Sequence, residues 1–188
     1  MKTERYRALI DAVANQIGLP PWTYRGQTFT PGEWLEGQIL TESGGNPDAM
    51  RYEPHHDTPE RAARESDGDQ PGRDDGLLED DRSYGLMQVL GSNIRRLCGV
   101  PPGTPMQFSF ALLPLANLSL GLRVLYQELR ATDNDVARAL ARFNGGPTGD
   151  RLDAAGRMRR AEYVELVARH AARVQNARRV AAAGRVDR

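Results

Sequence analysis

Glu42 is the residue of this chain best placed for acid–base chemistry. It follows Leu35 and Ile39 at i, i+4, i+7 spacing, so a helix puts all three on one face. Gln38 flanks that face, whereas Glu33 and Glu36 point elsewhere and are expected at the surface. A carboxyl on an apolar face is desolvated, which favours its neutral form. Its place in the last turn adds a smaller push the same way, because the negative end of the helix dipole disfavours a carboxylate. A carboxyl kept protonated near neutral pH can act as a general acid. Spacing alone also allows a structural, hydrogen-bonded glutamate. The other titratable groups carry less. His55 and His56 beside Asp57 do not meet a metal-ligand spacing. Asp67, Asp69, Asp74, Asp75, Asp80 and Asp81 lack the ligand order of a calcium loop and fit a solvated segment, with calcium as the weaker alternative. No metal and no cofactor are expected.

The elements that must position Glu42 are helical. Tyr6, Leu9, Ile10, Val13 and Ile17 keep helical spacing up to Gly18-Leu19-Pro20-Pro21. A second helix is predicted over 31–43, with Pro31 in its first turn and Gly44-Gly45 as its stop. A long polar stretch, 46–83, then reads as an extended insertion with little core of its own. Helical pattern resumes at Gln88 and runs to Leu97, where Cys98 is expected as a small buried hydrophobe. A longer helix is predicted from about Leu112 to Arg130. A short one capped by Asp133 runs through Phe143, and a last one runs from about Arg157 into the Arg/Ala-rich tail, with His170 packed or at the surface. No strong hairpin signal is visible. The fold class is mainly α, with a possible small strand pair in the insertion.

Bulk properties exclude little but bound the answer. The chain has 188 residues, 39% of them hydrophobic, which suits one domain or a domain with an extra lobe. Its formal net charge is zero, so nothing at whole-chain level favours nucleic acid. Between Glu53 and Arg82 eleven acidic residues face four basic ones, whereas from Arg151 to Arg188 ten basic residues face four acidic ones. Both fit solvated surface; the basic tail can also attract anionic polymers or membrane surfaces. The one cysteine allows no internal disulfide. The N-terminus shows no secretory signal, and no apolar run is long enough to span a membrane.

Four segments follow one another in an informative order. They are Glu42-Ser43-Gly44-Gly45-Asn46-Pro47, Ser83-Tyr84-Gly85-Leu86-Met87-Gln88-Val89, Asn117-Leu118-Ser119-Leu120-Gly121 and Arg142-Phe143-Asn144-Gly145-Gly146-Pro147. In that order they resemble the signatures of the soluble lytic transglycosylase family, over about Pro31 to Val174. The resemblance implies a lysozyme-like domain with a groove between two lobes. It divides the chain into an N-terminal helical extension (1–30), the domain itself (31–178, with the 46–83 insertion) and a basic tail (179–188). It also implies roles. Glu42 protonates the glycosidic oxygen, and Ser43 orients that acid or touches the sugar. Gly85, Leu86, Met87 and Gln88 line the groove, with amide hydrogen bonds from Gln88 and an adaptable wall from Met87. Phe143 and Asn144 close the other side, and Tyr163 resembles a family tyrosine that reaches back toward the acid. Tyr84 fits either core or groove. Leu86, Met87 and Val89 also fit plain core. The chain departs from the family pattern where Phe143 replaces a tyrosine, where Gly145-Gly146 replaces Ala-Gly, and in the length of its insertion.

The partner implied is the glycan strand of peptidoglycan, and a monomer is expected. One recognisable carboxyl suits a lytic transglycosylase, in which the same glutamate acts as acid and then as base. The 6-hydroxyl of the sugar then closes on the anomeric carbon, with help from the N-acetyl group, to leave a 1,6-anhydro-muramyl end. The alternatives are goose-type hydrolysis with a second carboxylate from Glu53, Glu65, Asp67 or Asp81, and a non-catalytic wall-binding virion domain. A wall substrate without a visible signal fits a phage endolysin or virion enzyme, or an enzyme exported by a secretion system; phage delivery is the preferred expectation.

Overall fold

The computed structural model describes residues 2–54, 80–101, 104–154 and 158–186. His55, His56 and Asp57, together with Glu65, Asp67, Asp69, Asp74 and Asp75, lie outside the described residues. The fold is mainly α, as the periodicity predicts. In chain order the described elements are a 3-10 turn Glu4–Tyr6, α1 Arg7–Gln16, β1 Trp22–Tyr24, β2 Gln27–Phe29, α2 Pro31–Ser43, β3 Met50–Tyr52, β4 Arg82–Tyr84 and β5 Val89–Leu90. They continue with α3 Gly91–Leu97, a 3-10 turn Ser109–Leu112, α4 Pro114–Ala131, α5 Val136–Gly145, a 3-10 turn Gly146–Thr148 and α6 Ala161–Val186. No described helix is long and apolar enough to cross a membrane.

The chain forms two compact units, Met1–Gly45 with Val124–Arg188, and Asn46–Arg123. In the first, α2 is the central element and packs against α1 and α6. Its start is a capping box. Thr30 Oγ1 accepts from the Glu33 N–H at 3.3 Å, and Glu33 Oε2 accepts from the Thr30 N–H at 2.8 Å. Pro31 occupies the first turn, where its missing N–H costs nothing. Gly44, at φ 63°, ends the helix in a left-handed cap that donates to the Leu40 carbonyl. At Gly37 the helices come close enough that a Cβ would lie 2.7 Å from the Ala171 nitrogen and 2.9 Å from the Val167 oxygen of α6.

In the second unit β3, β4 and β5 form a three-stranded antiparallel sheet. Met50 pairs with Tyr84, and Tyr84 with Val89. The strand pair expected around the insertion is therefore present at its two ends. Buried Tyr84 stacks on Phe108 with centroids 5.4 Å apart and planes at 4°.

Five local expectations are corrected. Glu33 and Glu36 are buried, not surface residues. Because α2 is packed on several sides, its polar positions are enclosed too, and both carboxylates are paid for by partners. Glu33 accepts from Gln175 Nε2 at 3.1 Å as well as closing its cap, and Glu36 accepts from Thr3, Arg7 and Arg178. The helix expected from Gln88 begins at Gly91, because Gln88 closes a turn and Val89–Leu90 pair as a strand. The cap of α5 is Asp135, whose side chain accepts from the Arg138 N–H; Asp133 sits at φ 53° in the preceding turn. Cys98 is exposed, since it falls at the end of α3 just before the chain turns at Gly99, φ 69°. A hairpin also joins β1 to β2. Arg25 (φ 49°) and Gly26 (φ 80°) both take the left-handed conformation that a tight two-residue turn requires, and Trp22 faces Phe29 at 5.6 Å.

Candidate active site

In the first unit the site is built on the last turn of α2. Glu42 is half-buried there, one turn beyond the buried Ile39. Its Oε1 accepts a hydrogen bond from the Tyr163 hydroxyl at 2.5 Å. Tyr163 lies in the first turn of α6, and the close α2–α6 crossing at Gly37 and Ala171 brings that helix to the acid. A second tie sits beside it. Thr41 Oγ1 donates to the Gly37 carbonyl at 2.9 Å and lies 3.1 Å from His170 Nδ1. Burial, then the charges of Arg173 and Arg169, hold the His170 imidazole below its usual titration range.

Ser43 turns to the backbone. Its hydroxyl donates to the Ile39 carbonyl and accepts from the Gly45 N–H, each at 3.2 Å. It thereby fastens the turn that follows Glu42. Phe143, half-buried, and Asn144, exposed, stand in the last turn of α5. That helix is anchored by Arg142, which reaches Glu128 at 2.6 Å and the Pro147 carbonyl at 2.9 Å. The first unit thus holds Glu42, Ser43, Phe143, Asn144 and Tyr163, and joins Glu42 to Tyr163 directly.

The second unit holds the other five. Gly85 to Gln88 form the turn between β4 and β5, closed by the Gln88 N–H to the Gly85 carbonyl at 3.3 Å. Gly85 (φ 70°) and Gln88 (φ 46°) are both left-handed. The Gln88 amide spends its two protons on backbone, donating to Ala49 O at 3.0 Å and Gly85 O at 2.9 Å. Tyr84, Leu86 and Met87 expose no surface, so they pack the turn from within.

Sequence reasoning gave no role to the residue that holds this turn. Asn117, fully buried on α4, accepts from the Met87 N–H at 2.8 Å and donates to Tyr84 O at 2.7 Å and Ala111 O at 2.8 Å. One turn later, Gly121 leaves the space that Met87 fills; a Cβ there would lie 2.8 Å from that of Met87. The signal was the i, i+4 Asn-Gly pair itself. Gln38 is a second omission. It is fully buried one turn before Glu42, and neither end of its amide has a hydrogen-bond partner among the described residues.

Glu53 and Asp81 are the described candidates for a second carboxylate. Glu53 accepts from Arg51 Nε at 2.6 Å and from the Ser83 hydroxyl at 3.1 Å, and Asp81 is buried. The neighbouring Asp80 forms a buried pair with Arg95 at 2.8 Å.

No curated protein and no solved structure matches the chain significantly. The family described as Transglycosylase SLT domain matches it over residues 35–164. The match begins inside the helix that carries Glu42 and ends one residue past Tyr163, and the chain belongs to this transglycosylase family, whose substrate class is peptidoglycan.

Proposed function

We propose that this chain is a peptidoglycan lytic transglycosylase that cuts the β-1,4 bond between N-acetylmuramic acid and N-acetylglucosamine, with Glu42 as general acid and then base. The observation that carries the reading is the half-buried Glu42 with Tyr163 on its Oε1. A phenol that donates to one carboxyl oxygen fixes the rotamer of the acid and favours placing the exchangeable proton on Oε2. From there the proton passes to the bridging oxygen as the glycosidic bond breaks. Glu42, now a carboxylate, takes the proton of the muramyl 6-hydroxyl as that oxygen closes on the anomeric carbon. The tyrosine bond stabilises this carboxylate between the two steps. No water is consumed, and the acid is regenerated.

A second carboxylate is not required by this route. The engagement of Glu53 with Arg51 and Ser83 weighs against Glu53 as the second carboxylate that hydrolysis needs to hold water. Mass spectrometry of a cell-wall digest is the test, run with wild type and Glu42→Gln side by side. Products one water lighter than a reducing end, from wild type alone, are the expected result. Reducing ends would assign the chain to hydrolysis instead. Release of nothing by wild type, with retained wall binding, would leave only a binding domain.

A further inference from the structure

Gly145 and Arg160 form a contact that the glycan chemistry above does not use. Gly145 sits at φ −113°, ψ 10°, where its backbone makes no demand for glycine. Space makes that demand. A Cβ on Gly145 would lie 2.8 Å from Arg160 Nε, 2.9 Å from Cγ and 3.4 Å from Cδ, so the arginine stem lies across the bare Cα. Its backbone is held as well, by a 3.3 Å bond from the Arg160 N–H to the Gly149 carbonyl.

An arginine works against the helix at this position. The Arg160 carbonyl accepts the first helical bond of α6, from Val164 at 3.2 Å, which makes Arg160 the capping residue. Arginine has no side-chain oxygen to cap the first N–H groups, and its charge sits at the positive end of the helix dipole. Nor is that charge offset, since among the described residues no carboxylate pairs with Arg160, the first-turn Glu162 included. A residue that breaks local rules without a compensating contact is of the kind found at functional or strained sites. Arg160 is exposed, it lies against the residue after Asn144, and it precedes Tyr163 by three positions. Its stem is thus placed by the residue that follows Asn144, at the start of the helix that carries Tyr163.

We infer that Arg160 is a substrate-binding residue that takes a carboxylate carried by the lactyl arm of the muramyl sugar. This rests on the proposed glycan substrate. The sugar rings of that substrate are uncharged, so its anions are confined to the lactyl arm: the lactyl carboxylate itself on stripped strands, or the carboxylates of the peptide attached there. A guanidinium fixed along its stem pairs such a group with little further loss of side-chain freedom.

The test uses soluble glycan fragments in three forms: peptide-bearing, peptide-bearing with every carboxyl amidated, and stripped of peptide. Binding is measured by calorimetry in the Glu42→Gln background, with and without Arg160→Gln, and turnover is measured with Glu42 intact. Arg160→Gln is expected to weaken binding of the peptide-bearing form about five- to tenfold and to leave the amidated form unchanged. Arg160→Lys should recover part of the loss at low salt, which a packing role would not produce. Gly145→Ala, which displaces the stem while keeping the charge, should mimic part of the loss. A loss on stripped fragments as well shows that Arg160 also takes the free lactyl carboxylate; no loss there confines it to the carboxylates of the peptide. The inference is overturned by a variant that binds all forms like its parent, or that weakens the native and amidated forms alike, while wild type still cleaves. Wild type that neither binds nor cleaves any form would overturn the glycan reading and the inference together.

Discussion

The hydroxyl of Tyr163 lies 2.5 Å from Oε1 of Glu42, although 121 residues separate them in the chain. The bond joins the last turn of α2 to the first turn of α6. It gives the acid a fixed orientation without enclosing it, since Glu42 and Tyr163 are both half-buried. Tyr163→Phe keeps the ring and removes only the donor. It is expected to lower kcat about tenfold to a hundredfold, with little change in KM and a melting temperature close to that of wild type. Steady-state rates on purified peptidoglycan provide the check; an undiminished kcat would remove Tyr163 from the mechanism.

Asn117 makes a prediction of a different kind, because it acts on the fold of the second unit. Asn117→Asp keeps the size of the side chain and the acceptor for the Met87 N–H. It loses both protons that reach Tyr84 O and Ala111 O, and it places a charge where no surface is exposed. A loss of about 3 kcal/mol in chemical denaturation is expected. A loss below about 0.5 kcal/mol would mean that the turn from Gly85 to Gln88 holds itself.

These two pairs differ in how far they could be read from the sequence. Glu42 was legible because helical spacing and the Pro31 and Gly44 boundaries fix which face it shares, and the boundaries of α2 are as predicted. Glu36 was not legible. Its burial depends on Arg7 and Arg178, 29 and 142 residues away, and periodicity within one helix carries no information about partners that distant. Arg160 was missed for a related reason. Its position follows from the loop closed by the Gly149 carbonyl, and the replacement of Ala by Gly145 carries no sign in the sequence of the stem that lies in the missing Cβ position. The β1–β2 hairpin was missed because Arg25 adopts a left-handed conformation more common for asparagine or glycine.

The crossing of α2 and α6 can be tested at Gly37. An alanine there improves intrinsic helix propensity by about 1 kcal/mol. Its Cβ, however, would meet backbone atoms Ala171 N at 2.7 Å and Val167 O at 2.9 Å, which cannot swing aside as a side chain could. Overpacking of this kind costs about 1 to 3 kcal/mol, so Gly37→Ala is expected to be destabilised by about 1 kcal/mol net. The separation of the helices should also pull Tyr163 from Glu42. Activity is then expected to fall more than the lost folded fraction explains, measured well below the melting temperature. Full activity per folded molecule would show that the acid does not depend on this crossing.

Glu36 ties stability to pH. Burial alone would raise its titration range, but hydrogen bonds from Arg7, Thr3 and Arg178 outweigh burial and hold it below the ordinary carboxylate value. Thr3 Oγ1 donates at 2.7 Å, Arg7 Nε at 3.2 Å and Arg178 Nη2 at 2.9 Å, and Arg178 also grips Asp11 at 2.9 Å. A folded-state value below the unfolded one means that the native form prefers the carboxylate. The stabilisation is therefore complete above the unfolded range, near pH 4 to 5, and is lost as pH falls through the folded value. His170, also depressed, loses its contribution as pH falls below about 6.5, a separate window. Glu36→Gln removes a fully buried counter-charge from two half-buried arginines, leaving Arg178 with Asp11 alone, so a loss of about 3 kcal/mol at pH 7 is expected. The gap to wild type should stay constant between pH 7 and about 5, whatever His170 does in both proteins, and close below about pH 4. Denaturant midpoints across that range measure it, and a gap that widened on acidification would mean that Glu36 is not held as a carboxylate in the native state.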